Sequence, residues 1–327
     1  MSKLGIVIEG FNEGDKFQRC LASLGSENCL IVYVDSGSTD GSLELAEAQN
    51  LLIVNLDVSV IPFNCARARN AGFDKLMEVD SSIEYIQFID ADCEMNIAWL
   101  QYAVEQFELD STLGVVCGRL REKYRDTTIY GRLCDMEWDT AIGEVDACGG
   151  IAMMRANVFS SVEGFNVGLR AGEEIELCCR IKEAGYRIVR DAHEMGLHDA
   201  GITTFSQWAG RISKYGFATA ESISRGLGDS QKRRYVFRAL LWAGIMPIIA
   251  LSGLVVGFWD IVVLIVPVLV VCLYVVLALR IYTRRRKHGD IGSDSWIYAV
   301  FCIVGKWPEL VGMMRFWRTT LLGGRRI

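Results

Sequence analysis

A largely parallel α/β sheet flanked by helices, followed by a transmembrane helical hairpin, is the fold class this sequence predicts. Three observations carry it. Short apolar runs alternate with helix-like stretches over residues 1 to about 230. Acidic residues stand directly behind three of those runs. Residues 239–259 and 261–279 contain no charged side chain.

The elements follow in chain order. Leu4–Ile8 reads as a strand, with a helical stretch through Phe17, Leu21 and Leu24 behind it. Leu30–Val34 is followed by a helix starting near Gly41, and Leu51–Val54 by one over Cys65–Met77. Tyr85–Ile89 is followed by a helix over Ile97–Phe107, and Val115–Cys117 is a fifth strand. The runs are continuously apolar rather than alternating, as strands buried on both faces must be. Neither a G-x-G-x-x-G fingerprint nor a P-loop occurs, which excludes those two phosphate-binding devices. A linker is expected at Gly226–Ser230, dividing a soluble domain (1–230) from a membrane region (231–327).

Ala239–Trp259 and Ile261–Leu279 each approach the roughly 20 apolar residues that cross a bilayer. Only Asp260 parts them, so they read as a tight hairpin with Phe258 and Trp259 near the interface. Lys232, Arg233, Arg234 and Arg238 precede the pair, and Arg280, Arg284, Arg285, Arg286 and Lys287 follow it. Positive charge on both outer sides and none in the turn places both ends in the cytoplasm. Lys306, Pro308, Glu309 and Arg315 interrupt the apolar stretch Trp296–Trp317, which reads as an amphipathic helix lying in the interface, with a third span as the alternative.

A net charge of −6 argues against a general nucleic-acid binder. The eleven cysteines form no C-x-x-C, and their number is odd; a reducing, cytosolic setting for the soluble domain fits that usage. The first strand begins at once, which leaves no room for a signal peptide.

In a parallel sheet, ligands bind beyond the carboxyl ends of the strands. Glu9, Asp35 and the pair Asp90 and Asp92 occupy those ends, so separate strands bring carboxylates to one rim. Burying unpaired carboxylates costs several kcal/mol. Two of them spaced i, i+2 behind a core strand therefore suggest a divalent cation, and Mg²⁺ is typically held by one or two carboxylates plus substrate phosphates. Asp35 sits where a carboxylate can accept from a nucleobase imide and a ribose hydroxyl. Arg67 and Arg69 open a helix on the same rim, where cations offset phosphate charge; spaced i, i+2 they cannot share a face, and Arg69 is the favoured one. Glu173 and Glu174 fill the first turn of a later helix, a place where the dipole alone favours acids and from which a general base can also be drawn. Glu176 and Arg180 are spaced for an i, i+4 pair. His193 and His198 lie beyond a strand-like Tyr186–Val189, and His198 could complete a metal shell.

Taken together, Ile6–Glu13, Val34–Ser42, Ala68–Gly72, Phe88–Asp92 and Gly172–Glu174 with Glu176, Leu177 and Arg180 resemble family 2 glycosyltransferases of the GT-A fold, membrane-anchored bacterial type. The resemblance covers residues 4–200. It implies that Asp35 contacts the base of a nucleotide sugar, that Asp92 holds Mg²⁺ or Mn²⁺ on its diphosphate, and that Asp90 sits against ribose or metal. Glu174 falls where the family has the Asp of an E-D pair, the general base for the acceptor hydroxyl. Glu9 stands where many relatives have Pro. Processive relatives carry Q-x-x-R-W, whereas here Gln207 and Arg211 are four apart and Ile212 follows. The implied reaction is an inverting single displacement onto a hydroxyl, on a lipid-linked acceptor or a growing cell-surface polysaccharide. The implied place is the cytoplasmic face of a bacterial inner membrane. Two other readings compete. A nucleotidyltransferase acting on a sugar phosphate also gathers acids on an α/β rim, but it needs a Gly-rich basic loop after the first strand that this chain lacks. A non-catalytic membrane scaffold would not need to keep Asp35, Asp90, Asp92 and Glu174.

Overall fold

The computed structural model of the chain describes residues 3–25, 29–59, 64–169, 172–226 and 230–321. Its strands are β1 (Leu4–Gly10), β2 (Leu30–Asp35), β3 (Leu52–Asn55), β4 (Tyr85–Asp90), β5 (Cys93–Met95), β6 (Leu113–Glu122), β7 (Gly143–Glu144), β8 (Ala152–Arg155) and β9 (Arg187–His198). The helices of the first two thirds are α1 (Gly14–Ser23), α2 (Ser42–Ala48), α3 (Cys65–Val79), α4 (Ile97–Leu109), α5 (Ile129–Trp138), α6 (Ala156–Ser161), α7 (Glu173–Glu183) and α8 (Phe205–Ser224). The chain divides into two compact units, Met1–Arg125 with Glu137–Gly201, and Asp126–Met136 with Ile202–Ile327.

The first unit is built on a mixed sheet of order β3-β2-β1-β4-β8-β6-β9-β5, with β7 against β9. The strands read from sequence are parallel neighbours in β3-β2-β1-β4, and β6 runs parallel to β9. Antiparallel β8 sits between β4 and β6, and short β5 closes antiparallel on β9. Alternation along each strand sorts its side chains to two cores. Ile6, Ile8 and Tyr33 join Phe17, Trp99 and Phe107 on one face. Val7, Val32, Val34, Ile86 and Phe88 join Phe73, Leu76, Phe159 and Ile181 on the other. Each such side chain contributes roughly 1.5–3 kcal/mol by leaving water.

Helix α3 fixes the height of the rim. Asn64 caps it by accepting from the Arg67 amide at 3.1 Å. At Gly72 an added Cβ would lie 2.3 Å from Val7 Cγ1, so only glycine lets the helix come this close to β1. That approach, less than one turn beyond Arg69, brings the guanidinium down onto the strand ends.

In the second unit α9 (Ser230–Ala239), α10 (Met246–Val256), α11 (Ile265–His288), α12 (Gly292–Val304) and α13 (Lys306–Leu321) follow. There α8 crosses α13 at glycines: a Cβ on Gly216 would lie 2.2 Å from the Glu309 carbonyl oxygen, and one on Gly312 1.9 Å from that of Ser213. Arg132 bonds to the buried Asp294 at 3.2 Å, and Arg285 donates to the Met136 carbonyl at 3.3 Å. These contacts explain why 126–136 and 202–226 group with the C-terminal helices, ahead of the expected join. Positions 227–229 of the expected linker lie outside the described residues.

Among the described residues, three helices are long and apolar enough to cross a membrane, Gln231–Val256, Ile261–His288 and Gly292–Leu321. The first two match the expected hairpin, with Phe258 and Trp259 strongly exposed at its turn. Pro247 stands in a first helical turn (Met246–Val256) preceded by a π-helical stretch, Leu240–Ile245, which widens the backbone around the missing N–H. The third contains the stretch 296–317 and by length and composition could cross a membrane, the alternative to lying in the interface. Two of its interrupting charges neutralise each other, because Lys306 Nζ contacts both Glu309 oxygens at 2.7 and 2.8 Å.

Candidate active site

The rim beyond β1, β4 and α3 holds a buried ionic cluster. Arg69, 4% exposed, donates from Nη2 to Glu9 Oε1 at 2.7 Å and Asp90 Oδ1 at 2.8 Å, and from Nη1 to Glu173 Oε1 at 3.2 Å. Gly150 makes room for it, since a Cβ there would lie 2.5 Å from Nη2. Burial pushes Glu9 well above the ordinary carboxylate range; Arg69 opposes this and Asp90 adds to it. For Asp90, burial acts upward but the charges of Arg69 and His198 outweigh it, and its pKa is lowered. Burial thus favours the neutral form of Glu9, and the neighbouring positive charge the ionised form of Asp90. Arg69 serves as the counter-charge of this acidic rim, with both terminal nitrogens committed to its carboxylates. Arg67 reaches the Asp57 carbonyl instead, at 3.2 Å.

Asp90 and Asp92, two apart, take different partners. Asp92 Oδ2 lies 3.1 Å from His198 Nε2. The pairing of β5 with β9 sets this, because Cys93 is opposite His198 and the Asp199 amide donates to the Asp92 carbonyl at 3.1 Å. His198 is the last residue of a long strand rather than part of a loop beyond one; bulges in the β6–β9 pairing stretch that strand past its expected end. Trp138 stacks on the imidazole at 4.7 Å and 12°. Burial lowers the pKa of His198, but its bond to Asp92 and the charges of Asp92, Asp90 and Glu122 raise it overall. His193 stacks on Tyr102 at 4.0 Å and is not part of this group.

The Asp92 and His198 donors fit a small divalent cation. Ligands about 2.0–2.1 Å from an octahedral ion stand roughly 3 Å from each other, which is the observed spacing. Cys93 Sγ completes a group whose ligand atoms all lie within 4.8 Å; burial and the charges of Asp92 and Asp90 hold its thiol well above its ordinary pKa.

Asp35 is 3% exposed and anchors a turn: Oδ2 accepts from the Gly37 and Ser38 amides at 2.8 and 2.9 Å, and Oδ1 from Tyr33 Oη at 3.1 Å. One lone pair on Oδ1 stays free for a further donor. On α7 the two neighbouring acids separate in role. Glu173 is tied to Arg69, whereas Glu174 Oε2 is buried without a hydrogen-bond partner. Burial, then the charge of Glu173, raises Glu174 to about 7. Glu176 and Arg180 form the expected pair, bidentate at 2.8 and 2.7 Å.

Two residues join the site that sequence reasoning passed over. Glu13 begins α1, and burial followed by the charge of Asp92 raises it to about 7. Its position just past the first strand was the available signal. Trp138 carries no signal, because its partner His198 is sixty residues away in sequence.

Residues 6–162 match the model of glycosyl transferase family 2. The chain is 24% identical over 259 residues to Glycosyltransferase AglE of Haloferax volcanii, covering 75% of this chain and 81% of that protein. It is 24% identical over 222 residues to the O-antigen chain rhamnosyltransferase RfbN of Salmonella typhimurium, covering 62% and 68%. Among solved structures, the mannosyltransferase PcManGT of Pyrobaculum calidifontis, in complex with GDP-Man and Mn²⁺, superposes with a TM-score of 0.58 at 15% identity, covering 96% of this chain and 87% of that one. The shared fold is a GT-A-like mixed sheet with flanking helices.

Proposed function

We propose, from the match of residues 6–162 to the glycosyl transferase family 2 model, that this chain is a member of that family and moves a sugar from a nucleotide-sugar donor to a hydroxyl acceptor with inversion at the anomeric carbon. The observation that carries the proposal is the 3.1 Å Asp92–His198 pair standing on the same rim as Glu174, whose Oε2 is buried without a partner and whose pKa is raised. Such a rim offers a cation site and a base together. Asp92 and His198 would hold Mg²⁺ or Mn²⁺, with Asp90 beside them, and the bound ion supplies charge neutralisation for the departing nucleoside diphosphate. PcManGT, with its GDP-Man and Mn²⁺, supports that donor and cation chemistry.

Each remaining role falls to one of this chain's own residues. Asp35 accepts from the nucleobase through its spare lone pair. Trp138 holds the His198 ring in one orientation. Arg69 keeps Glu9, Asp90 and Glu173 in place. Glu174, poised near neutral pH and free of a donor, takes the acceptor's hydroxyl proton as the oxygen attacks the anomeric carbon. Basic residues outside the hairpin and none in its turn support a cytoplasmic site on a bacterial inner membrane. A lipid-linked acceptor, or a saccharide growing on one, suits an enzyme held there.

The test uses the full chain in detergent with a panel of nucleotide sugars, with and without Mn²⁺. The expected result is metal-dependent release of nucleoside diphosphate from one donor, and a product of opposite anomeric configuration by NMR. Pyrophosphate release from a sugar phosphate and a nucleoside triphosphate, with no diphosphate release from any donor, would overturn the proposal.

A further inference from the structure

We propose that Cys148 and Cys178 form a reversible disulfide that locks the loop between β7 and β8 onto α7 and lowers transfer by the site above it. The two sulfurs lie 3.6 Å apart. A disulfide needs about 2.05 Å, so closure asks for roughly 1.5 Å of combined movement. The loop can supply it. Gly149 has a φ of +84° with nothing near its Cβ position, and Cys148 is only half buried. Cys178 is fully buried on α7, one turn after Glu174.

The thiols are suited to sequential exchange. Cys148 is the partner that solvent reaches. Cys178 has its pKa lowered, chiefly by the hydrogen bond from Cys148. The hydrogen bond to Cys178 and burial hold the Cys148 thiol well above its ordinary pKa, so a base in solution takes its proton as Cys148 Sγ attacks one sulfur of the oxidant, oxidised glutathione, and the other half leaves as a thiolate. The Cys178 thiolate then attacks Cys148 Sγ, the protein disulfide forms, and the second glutathione leaves. Two protein thiols are oxidised, one low-molecular-weight disulfide is reduced, and the two protons end, through solvent, on the two glutathione thiolates.

The consequence for transfer rests on the reading of Glu174 as the base. Movement of Cys148 carries Gly149 and Gly150 with it, and Gly150 packs against the Arg69 guanidinium that positions Glu9, Asp90 and Glu173. Movement of Cys178 acts one turn from Glu174. A displacement of about 1 Å at such a site costs tenfold or more in rate.

The experiment treats the full chain in detergent with oxidised glutathione, then maps peptides without reduction and measures transfer in parallel. The expected result is a Cys148–Cys178 cross-linked peptide and a roughly tenfold fall in transfer, both reversed by dithiothreitol. Cys148→Ser is expected to keep its reduced-state rate throughout. Absence of the cross-link at saturating oxidant overturns the proposal, as does an equal fall in Cys148→Ser or a cross-link without loss of transfer. Cys178→Ala serves as the second variant because its smaller side chain adds no polar group to the core. The peptide map needs no substrate, so failure of the disulfide is distinguishable from failure of the glycosyl-transfer reading.

Discussion

His198 Nε2 stands 3.1 Å from Asp92 Oδ2, although 106 residues separate them. The β5–β9 pairing brings them together, and Trp138 holds the imidazole flat from the far side. His198→Ala is expected to weaken Mn²⁺ binding by roughly 10- to 100-fold with the fold retained. Asp92→Ala is expected to abolish transfer. Calorimetric titration of the metal alone, with circular dichroism as the folding control, measures both. Wild-type-like Mn²⁺ affinity in either variant would remove the residue from the cation site.

Glu174 sets a pH dependence. Its pKa is raised to about 7 in the folded chain, and a base must be deprotonated to act. Transfer should therefore rise with pH through about 7 and level off above it, so kcat/KM over pH 5.5–8.5 should follow a single ascending limb. Glu174→Gln should flatten that limb and lower kcat on the order of 10²- to 10⁴-fold. An unchanged profile in Glu174→Gln would assign the base elsewhere. Protonation of Glu174 costs nothing to folding in this window. With a raised folded pKa, its contribution to stability is greatest at low pH and diminishes as pH rises through about 7.

Arg69 is the single cation among Glu9, Asp90 and Glu173 in their described ion pairs. Arg69→Met keeps much of the volume and removes the charge, leaving an ionised Asp90 without its buried partner. A loss of about 3–5 kcal/mol is expected, read as a lowered Tm by intrinsic tryptophan fluorescence. Arg69→Lys restores the charge but not the fork, and it should fall between the two.

Gly216 and Gly312 let α8 and α13 meet backbone to backbone. Gly312→Leu leaves no room against the Ser213 carbonyl, and overpacking of this kind costs roughly 1–3 kcal/mol. The expected outcome is a lower Tm in detergent with the first unit's metal binding unchanged, measured on the same preparation. An unchanged Tm would mean that the two helices do not pack through these glycines.

Local signals carried most of the first unit's strands and helices. Leu4–Ile8, Leu30–Val34 and Tyr85–Ile89 each lie within an observed strand, because continuous burial leaves an apolar run in the sequence. Asp90, Asp92, Glu9 and Asp35 were legible for the same reason, each standing where such a run stops. Antiparallel β8 was not: Ala152–Arg155 is four residues long, and its direction depends on partners far away in sequence. The division of labour between Glu173 and Glu174 was equally hidden, since only the position of Arg69 in space tells which carboxylate is taken. Charge counting along Trp296–Trp317 also could not register that Lys306 and Glu309 pair with one another.

Strand order has a last implication. From β1 the chain steps outward through β2 to β3, then jumps back over β1 to lay down β4 on its other side. The helices that follow β1 and β4 nevertheless share one face of the sheet, where Phe17 of α1 and Trp99 of α4 meet in a single core. Glu13 follows the first of these strands and Asp92 the second, so the order in which the strands are laid down, more than any one side chain, brings the two carboxylates to one rim.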